Sequence, residues 1–211
     1  RGGCGISLDK LRPSGSPTKN SSRTSTGIIS FAKRYSNSTR EVGQDGRRGA
    51  LMLTLNVHHP EVVGFAHCKD DEESVTGANI SICLTDEFLE AVKKGKKYEQ
   101  RWPIDSKTPV ISQMVDAREV WKEIIWCAHN RGEPGLLFWD HILKESPSDC
   151  YELFKTICTN PCSEIPLSLL DSCRLLVINL MSCVDNPYTS GAKFNFERLT
   201  EYAIFAQRMM D

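Results

Sequence analysis

The chain has 211 residues, 40% hydrophobic and 25% charged, with a formal net charge of −1, the balance of an ordinary folded protein of one large or two small domains. That balance excludes a surface that coats a nucleic-acid polymer, which needs a basic excess. No run of about 18 apolar residues is present, so no membrane span is expected.

Nine cysteines, an odd number, come without a secretory leader and without any C-x-x-C pair. Reduced thiols in a cytoplasm fit this better than a disulfide framework or a zinc cluster. Arg1 opens directly onto a glycine pair, and the last residues stop inside a helical pattern. The chain therefore reads as an internal piece of a longer protein.

In chain order, Arg12 to Thr26 (RPSGSPTKNSSRTST) is rich in Pro, Gly, Ser and Asn and reads as a surface loop. Ile28 to Val42 reads as a helix with Ile28, Phe31, Ala32 and Tyr35 on one side. A second glycine-rich loop, GQDGRRG at 43–49, leads into a strand over Ala50 to Val57. There Leu51, Leu53, Leu55 and Val57 alternate with Met52, Thr54 and Asn56, and Pro60 stops the run. Lys69 to Glu73 is a solvated turn. Ala78 to Leu84 is a second strand, and Asp86 to Lys94 a short helix ending at Gly95.

Asp116 to Arg131 carries the strongest helix pattern. Asp116 caps it, Glu119 completes a capping box, and Gly132 closes it. Gly135 to Trp139 is a short apolar strand. Arg174 to Ser182 (RLLVINLMS) is apolar nearly throughout, as a strand buried on both faces would be. Asn195 caps a last helix. This alternation predicts an α/β architecture with a parallel sheet. Cys83, Cys127 and Cys183 fall among apolar residues and read as core thiols, while Cys158 receives no role. His58 and His59 do not by themselves make a metal site, and none is expected in this chain.

The chemistry-bearing stretch is Thr159 to Leu167, TNPCSEIPL. Pro161 and Pro166 push the residues before them away from helical angles, which predicts an extended segment. In an extended chain Asn160, Cys162 and Glu164 share one side, at roughly 6.5–7 Å per pair of residues. An amide, a thiol and a carboxylate would then meet on the scale of one sugar ring. On spacing alone, a proline-rich loop with an incidental cysteine is an equal alternative.

TNPCSEIPL resembles the finger loop of ribonucleotide reductases. The resemblance extends to RGGCGISLDKLRP at the start and to DGRRGA, HHPE, TGANIS and GEPGLLFWD, and it ends at DSCRL followed by INL. It implies a ten-stranded α/β barrel, of which this chain supplies the first half-barrel plus the finger loop. By that resemblance residues 1–57 hold the substrate entrance and specificity loops, and 58–150 the strands and helices of the half-barrel. Residues 151–183 hold the finger loop and a redox-cysteine strand, and 184–211 begin the next helix.

The resemblance also implies roles. Cys162 would carry the thiyl radical that removes the ribose 3′ hydrogen, Glu164 would act as base on the 3′ hydroxyl, and Asn160 would bind the sugar. Cys173 would deliver reducing equivalents as half of a disulfide pair. In the family its partner lies upstream of the glycine-rich start, so Cys4 is not paired with it. Gly2 and Gly3 would line the substrate. Arg12, Lys19 and Arg23 in the first loop, with Arg47 and Arg48 in the second, would grip a dNTP or ATP effector.

The substrate would be a ribonucleotide, read as a diphosphate, and the reductant a thioredoxin or glutaredoxin type of protein. The full-length protein would be a homodimer. GRRGALML and NPCSEIPLSLLDSCRL look more like the adenosylcobalamin-dependent class than like the large subunit that works with a separate radical-generating subunit. A rival of another kind is a non-catalytic nucleotide-binding module in which Cys162 is incidental.

Overall fold

The computed structural model describes residues 3–42, 46 and 49–210. Gly2, Arg47 and Arg48 lie outside the described residues. Arg1–Asp171 forms one compact unit and Ser172–Asp211 another.

The first unit begins with β1 (Gly3–Ser7), α1 (Ile28–Glu41), β2 (Ala50–Asn56), α2 (Val62–Ala66), β3 (Asn79–Leu84) and α3 (Asp86–Lys94). It continues with β4 (Lys97–Trp102), β5 (Ile111–Asp116), α4 (Ala117–Arg131), β6 (Gly135–Phe138) and α5 (Trp139–Glu145). The short strands β7 (Cys158–Thr159) and β8 (Pro166–Leu167) follow. Strands β1, β2, β3 and β6 form one all-parallel sheet in the order β1-β2-β3-β6. β4 and β5 make a separate antiparallel hairpin. The expected α/β architecture is present.

The two faces of the parallel sheet differ because side chains alternate along each strand. On one face Leu51, Leu53, Leu55, Ile80, Ile82 and Leu84 are buried against Ile28 and Ala32 of α1, Phe65 of α2, and Val120 and Ile124 of α4. Burying each such side chain stabilises the fold by roughly 1.5–3 kcal/mol. The other face is built mostly from small and polar residues, with Met52 and Leu137 among them. Its in-register rows are Gly5, Met52 and Asn79; then Ser7, Thr54, Ser81 and Gly135; then Asn56, Cys83 and Leu137. Cys83 and Cys127 are buried, as expected of core thiols.

Helix ends match their sequence signals. Thr85 Oγ1 accepts from Phe88 N at the start of α3, and Gly95 closes it at φ 61°. Asp116 accepts from Arg118 N and Glu119 N, and Gly132 closes α4 at φ 73°, whereas the Glu119 half of the expected capping box is not formed, Asp116 being the last residue of the β5 ladder. The start of α1 has no cap from its own Gly27. Instead Glu61 Oε2 accepts from Ile28 N at 3.1 Å. The rest of HHPE is equally structural. His58 joins Glu99 O (2.7 Å) and Thr85 Oγ1 (2.9 Å), and His59 Nε2 donates to Leu11 O (3.1 Å) while its Nδ1 accepts from Glu61 N (3.1 Å). The motif thus ties the end of β2 to Leu11, just before the 12–26 loop, to α1 and to β4.

Burial pushes His59 down from 6.5 to about 4 and lowers His58 as well. Their neutral forms are favoured in the fold, so the stability they supply is complete above pH 6.5 and is lost as pH falls; for His59 this is worth roughly 3 kcal/mol. Asp9 runs the other way. Partly buried, and accepting from Asn56 N at 2.7 Å, it is pushed up from 3.8 to about 6 by desolvation. Its contribution is therefore present at low pH and lost as pH rises through 6. Asp9→Asn is expected to raise the urea midpoint at pH 7.5 and leave it nearly unchanged at pH 4, where Asp9 is already protonated. Denaturation curves at both pH values check this.

The second unit contains a 3₁₀ turn (Leu180–Cys183), the antiparallel pair β9 (Val184–Asp185) and β10 (Lys193–Phe194), and helix α6 (Phe196–Met210). Asn195 Oδ1 accepts from Arg198 N at 2.9 Å, so the expected cap is formed, and Cys183 is buried. The strand expected over 174–182 is not formed. Residues 174–179 carry no regular structure, and Leu175 and Val177 are 88% and 92% exposed. An apolar run reports a preference for burial. A strand also needs a neighbour whose backbone completes the ladder, and none of the described strands pairs with this one.

Candidate active site

The stretch from Cys158 to Leu167 folds as a small hairpin. Cys158 pairs with Leu167 and Thr159 with Pro166. Asn160 N donates to Ile165 O (3.1 Å), Ile165 N donates back to Asn160 Oδ1 (3.0 Å), and Ser163 N donates to Asn160 O (3.0 Å). Ser163 sits at φ 72°, in the left-handed region that reverses a chain.

The expected common face of an extended chain is therefore not formed. The two prolines exclude a helix but do not impose a strand. The Asn160 side chain bonds its own backbone five residues on, and a turn results. Asn160 is buried at the base of the turn, and its Oδ1 accepts from Ile165 N and holds the loop. Cys162 and Glu164 are both exposed on the loop.

The hairpin lies across the mostly small and polar face of the sheet. A Cβ on Gly5 would stand 2.0 Å from Thr159 O, and one on Gly3 would stand 2.2 Å from Pro161 Cγ. Both positions must therefore lack a side chain for the hairpin to seat. Gly3, expected to line substrate from a turn, lies in β1 with the Pro161 ring against it. Asn79 Nδ2 donates to Pro161 O at 2.8 Å, and Thr54 Oγ1 lies 3.5 Å from Cys158 Sγ. Cys158, to which the sequence assigned nothing, is thus an anchor of the hairpin, and burial pushes its thiol up. Thr54, Asn79 and Cys158 were legible only as alternating strand residues or as a neighbour of the motif. Glycines spaced by two beside an Asn-x-Cys motif are the signal that would have linked them.

Cys173 falls in the second unit, in an exposed segment without helix or strand.

The loop at 12–26 is an ordered hairpin. Gly15 N donates to Ser25 O (2.9 Å), Ser25 N to Ser16 O (2.8 Å), and Thr18 N to Arg23 O (2.8 Å). It borders a cavity of about 410 Å³ whose lining includes Arg12, Thr18, Asn20 and Trp102. The Arg12 guanidinium stands 5.6 Å over the Trp102 ring. Lys19 and Arg23 are exposed and do not line that cavity.

A four-stranded parallel sheet with helices on its apolar face, and a cysteine-bearing hairpin seated on its other face, defines an α/β protein that presents a thiol. The family model for the barrel domain of ribonucleotide reductase matches residues 1–211, and the chain belongs to that family. It is 34% identical, over its whole length, to the "Vitamin B12-dependent ribonucleoside-diphosphate reductase" of Thermoplasma acidophilum. It is 32% identical, again over its whole length, to the protein of the same name in Mycobacterium tuberculosis. The "Ribonucleoside-diphosphate reductase large subunit" of monkeypox virus is 27% identical over 95% of the chain. The chain spans 26%, 29% and 29% of the lengths of these three relatives.

Proposed function

We propose that the full-length protein containing this chain reduces ribonucleoside diphosphates to deoxyribonucleotides, with Cys162 as the radical-bearing thiol. The observation that carries this reading is the exposed Cys162 on a loop whose backbone is fixed by Gly3, Gly5 and Asn79. A sulfur–hydrogen bond is weak enough for the radical to form on Cys162 and for the 3′ hydrogen to be returned, yet close enough in strength to the 3′ carbon–hydrogen bond for the thiyl radical to take that hydrogen reversibly. Glu164, two residues on, accepts the 3′ hydroxyl proton, and Asn160 Nδ2 donates to the sugar. Loss of the 2′ hydroxyl as water then requires two electrons and two protons. Cys173 and a partner cysteine supply them and leave as a disulfide, which a thioredoxin or glutaredoxin type of protein reduces.

Adenosylcobalamin, through its weak cobalt–carbon bond, would supply the radical when bound. An exposed thiol fits such a donor, because hydrogen transfer requires contact. The two relatives named vitamin B12-dependent support this class over the two-subunit class. The loops at 12–26 and 43–49 bind dNTP or ATP effectors through Arg12, Lys19, Arg23, Arg47 and Arg48. A homodimer forms beside them, and the enzyme works in the cytoplasm.

The test is reduction of a ribonucleoside diphosphate by the full-length protein with a dithiol. Turnover that requires added adenosylcobalamin and no second subunit supports the reading. A requirement for a separate metal-containing subunit would assign the other class, and nucleotide binding without turnover would leave a binding module. Glu164→Ala is expected to lower turnover by about 10²–10⁴-fold through loss of general-base assistance. Its loss should appear as slowed exchange of the 3′ hydrogen, read with 3′-deuterated substrate.

A further inference from the structure

On the helical side of the first unit, away from the hairpin, three metal-ligating side chains from separate segments converge. His67 follows α2, Asp70 stands in the turn after it, and Cys127 lies on α4. One ligand atom from each lies within 4.8 Å of the others. We infer that these residues form a site for a borderline-soft divalent cation such as zinc, bound by His67 Nδ1, Asp70 Oδ2 and Cys127 Sγ with water as fourth ligand.

The surroundings are arranged as such a site requires. A metal-bound histidine commonly donates its other ring N–H to a carboxylate, which fixes the ring and its tautomer. His67 Nε2 lies 3.0 Å from Glu123 Oε2, on the far side of the ring from Asp70. Asp70 divides its oxygens in the same manner. Oδ2 faces His67 Nδ1 at 2.9 Å, while Oδ1 is held by Arg131 Nε at 3.2 Å. Glu123, Cys127 and Arg131 recur at every fourth residue of α4 and so share one face. The His67 ring is further fixed by stacking on Trp126, centroids 5.8 Å apart. Cys127 is fully buried beneath half-buried His67 and exposed Asp70, which gives the ion a sulfur floor and an open side for water.

Tetrahedral zinc with ligand bonds of about 2.0–2.3 Å sets ligand atoms roughly 3.3–3.6 Å apart. The His67–Asp70 pair, at 2.9 Å, reaches that by opening a few tenths of an ångström, and the longer separations, up to 4.8 Å, by closing about 1 Å, within the reach of side-chain rotation. Binding replaces the proton between His67 Nδ1 and Asp70 and the Cys127 thiol proton, and both pass to solvent. The mixed S, N and O set selects zinc or cobalt over magnesium or calcium, which prefer oxygen alone. The bound ion would clamp the end of α2 to α4.

Cobalt(II) is the probe, titrated into the full-length protein after chelator treatment and dialysis. The expected result is a near-ultraviolet thiolate-to-cobalt absorption saturating at one ion per chain above the level of Cys127→Ser, removed by competing zinc. Asp70→Asn is expected to weaken binding at least tenfold, and Glu123→Gln about tenfold through loss of the orienting carboxylate. Quenching of Trp126 fluorescence should follow the same titration and vanish in Trp126→Phe. Equal absorption in the wild type, Cys127→Ser and Asp70→Asn, or no such absorption at all, overturns the site. Should Cys127→Ser fail to fold, the exposed Asp70→Asn and Glu123→Gln variants decide the question alone.

Discussion

Cys162→Ser in the full-length protein is expected to lower ribonucleotide reduction by at least about 10⁴-fold, with effector binding unchanged. Serine keeps the size and exposure of the side chain but replaces a weak S–H bond with a strong O–H bond. A barrier raised by only about 5.5 kcal/mol gives a factor of that size. Cys162 lies on the hairpin in the 158–167 stretch, whereas the loop at 12–26, proposed to bind the effector, is held by its own backbone pairs, with the His59 bond to Leu11 just before it. The two functions therefore separate. Deoxynucleotide formation measured by chromatography, beside calorimetric binding of dNTP, gives both readings from one preparation. Turnover that survives the substitution would reduce Cys162 to a bystander and favour the nucleotide-binding module.

Gly5→Val is expected to cost about 10²-fold or more in turnover without touching a reacting group. Its first added carbon would fall 2.0 Å from Thr159 O, a backbone atom that no rotamer change can move aside. The hairpin must lift from the sheet, and a displacement of about 1 Å at a reacting group commonly costs that factor. Gly191→Ala is the control, since its nearest neighbour stands 3.8 Å away. Hydrogen exchange at 157–167 should rise in the Gly5 variant and stay unchanged in the control.

The periodic elements were legible because burial wrote them into the sequence. Leu51, Leu53 and Leu55 alternate because one face of β2 packs on helices, and Asp116, Gly132 and Asn195 mark helix ends through local bonds of their own. β4 and β5 escaped because the buried side chains of β4, Tyr98 and Gln100, include a polar residue whose partners are Tyr98 beside it and Gln113 on β5, a pairing that no apolar alternation announces. The run at 174–182 failed for the opposite reason, since its composition promised a ladder that no described strand completes. At the candidate site the residue types were readable and the geometry was not. Asn160 bonds Ile165 N rather than projecting beside Cys162, and that choice depends on a turn whose left-handed residue is a serine. HHPE, TGANIS and GEPG stood out as motifs without an assigned task. Glu61 caps α1, Gly77 N bonds Ser36 Oγ on that helix, and Glu133 accepts from Ile80 N at the start of the β3 ladder.

The hairpin meets the sheet through its base: the Thr159 carbonyl over Gly5, the Pro161 ring on Gly3 and its carbonyl on Asn79, and Cys158 Sγ beside Thr54. Grip and reactivity consequently reside in different parts of the loop. The tip behaves as a fixed tool holder, in which one bit can be exchanged for another while the mount stays aligned. A new nucleophile, metal ligand or spectroscopic label installed at 162 or 164 would inherit a position already set by the strand beneath it.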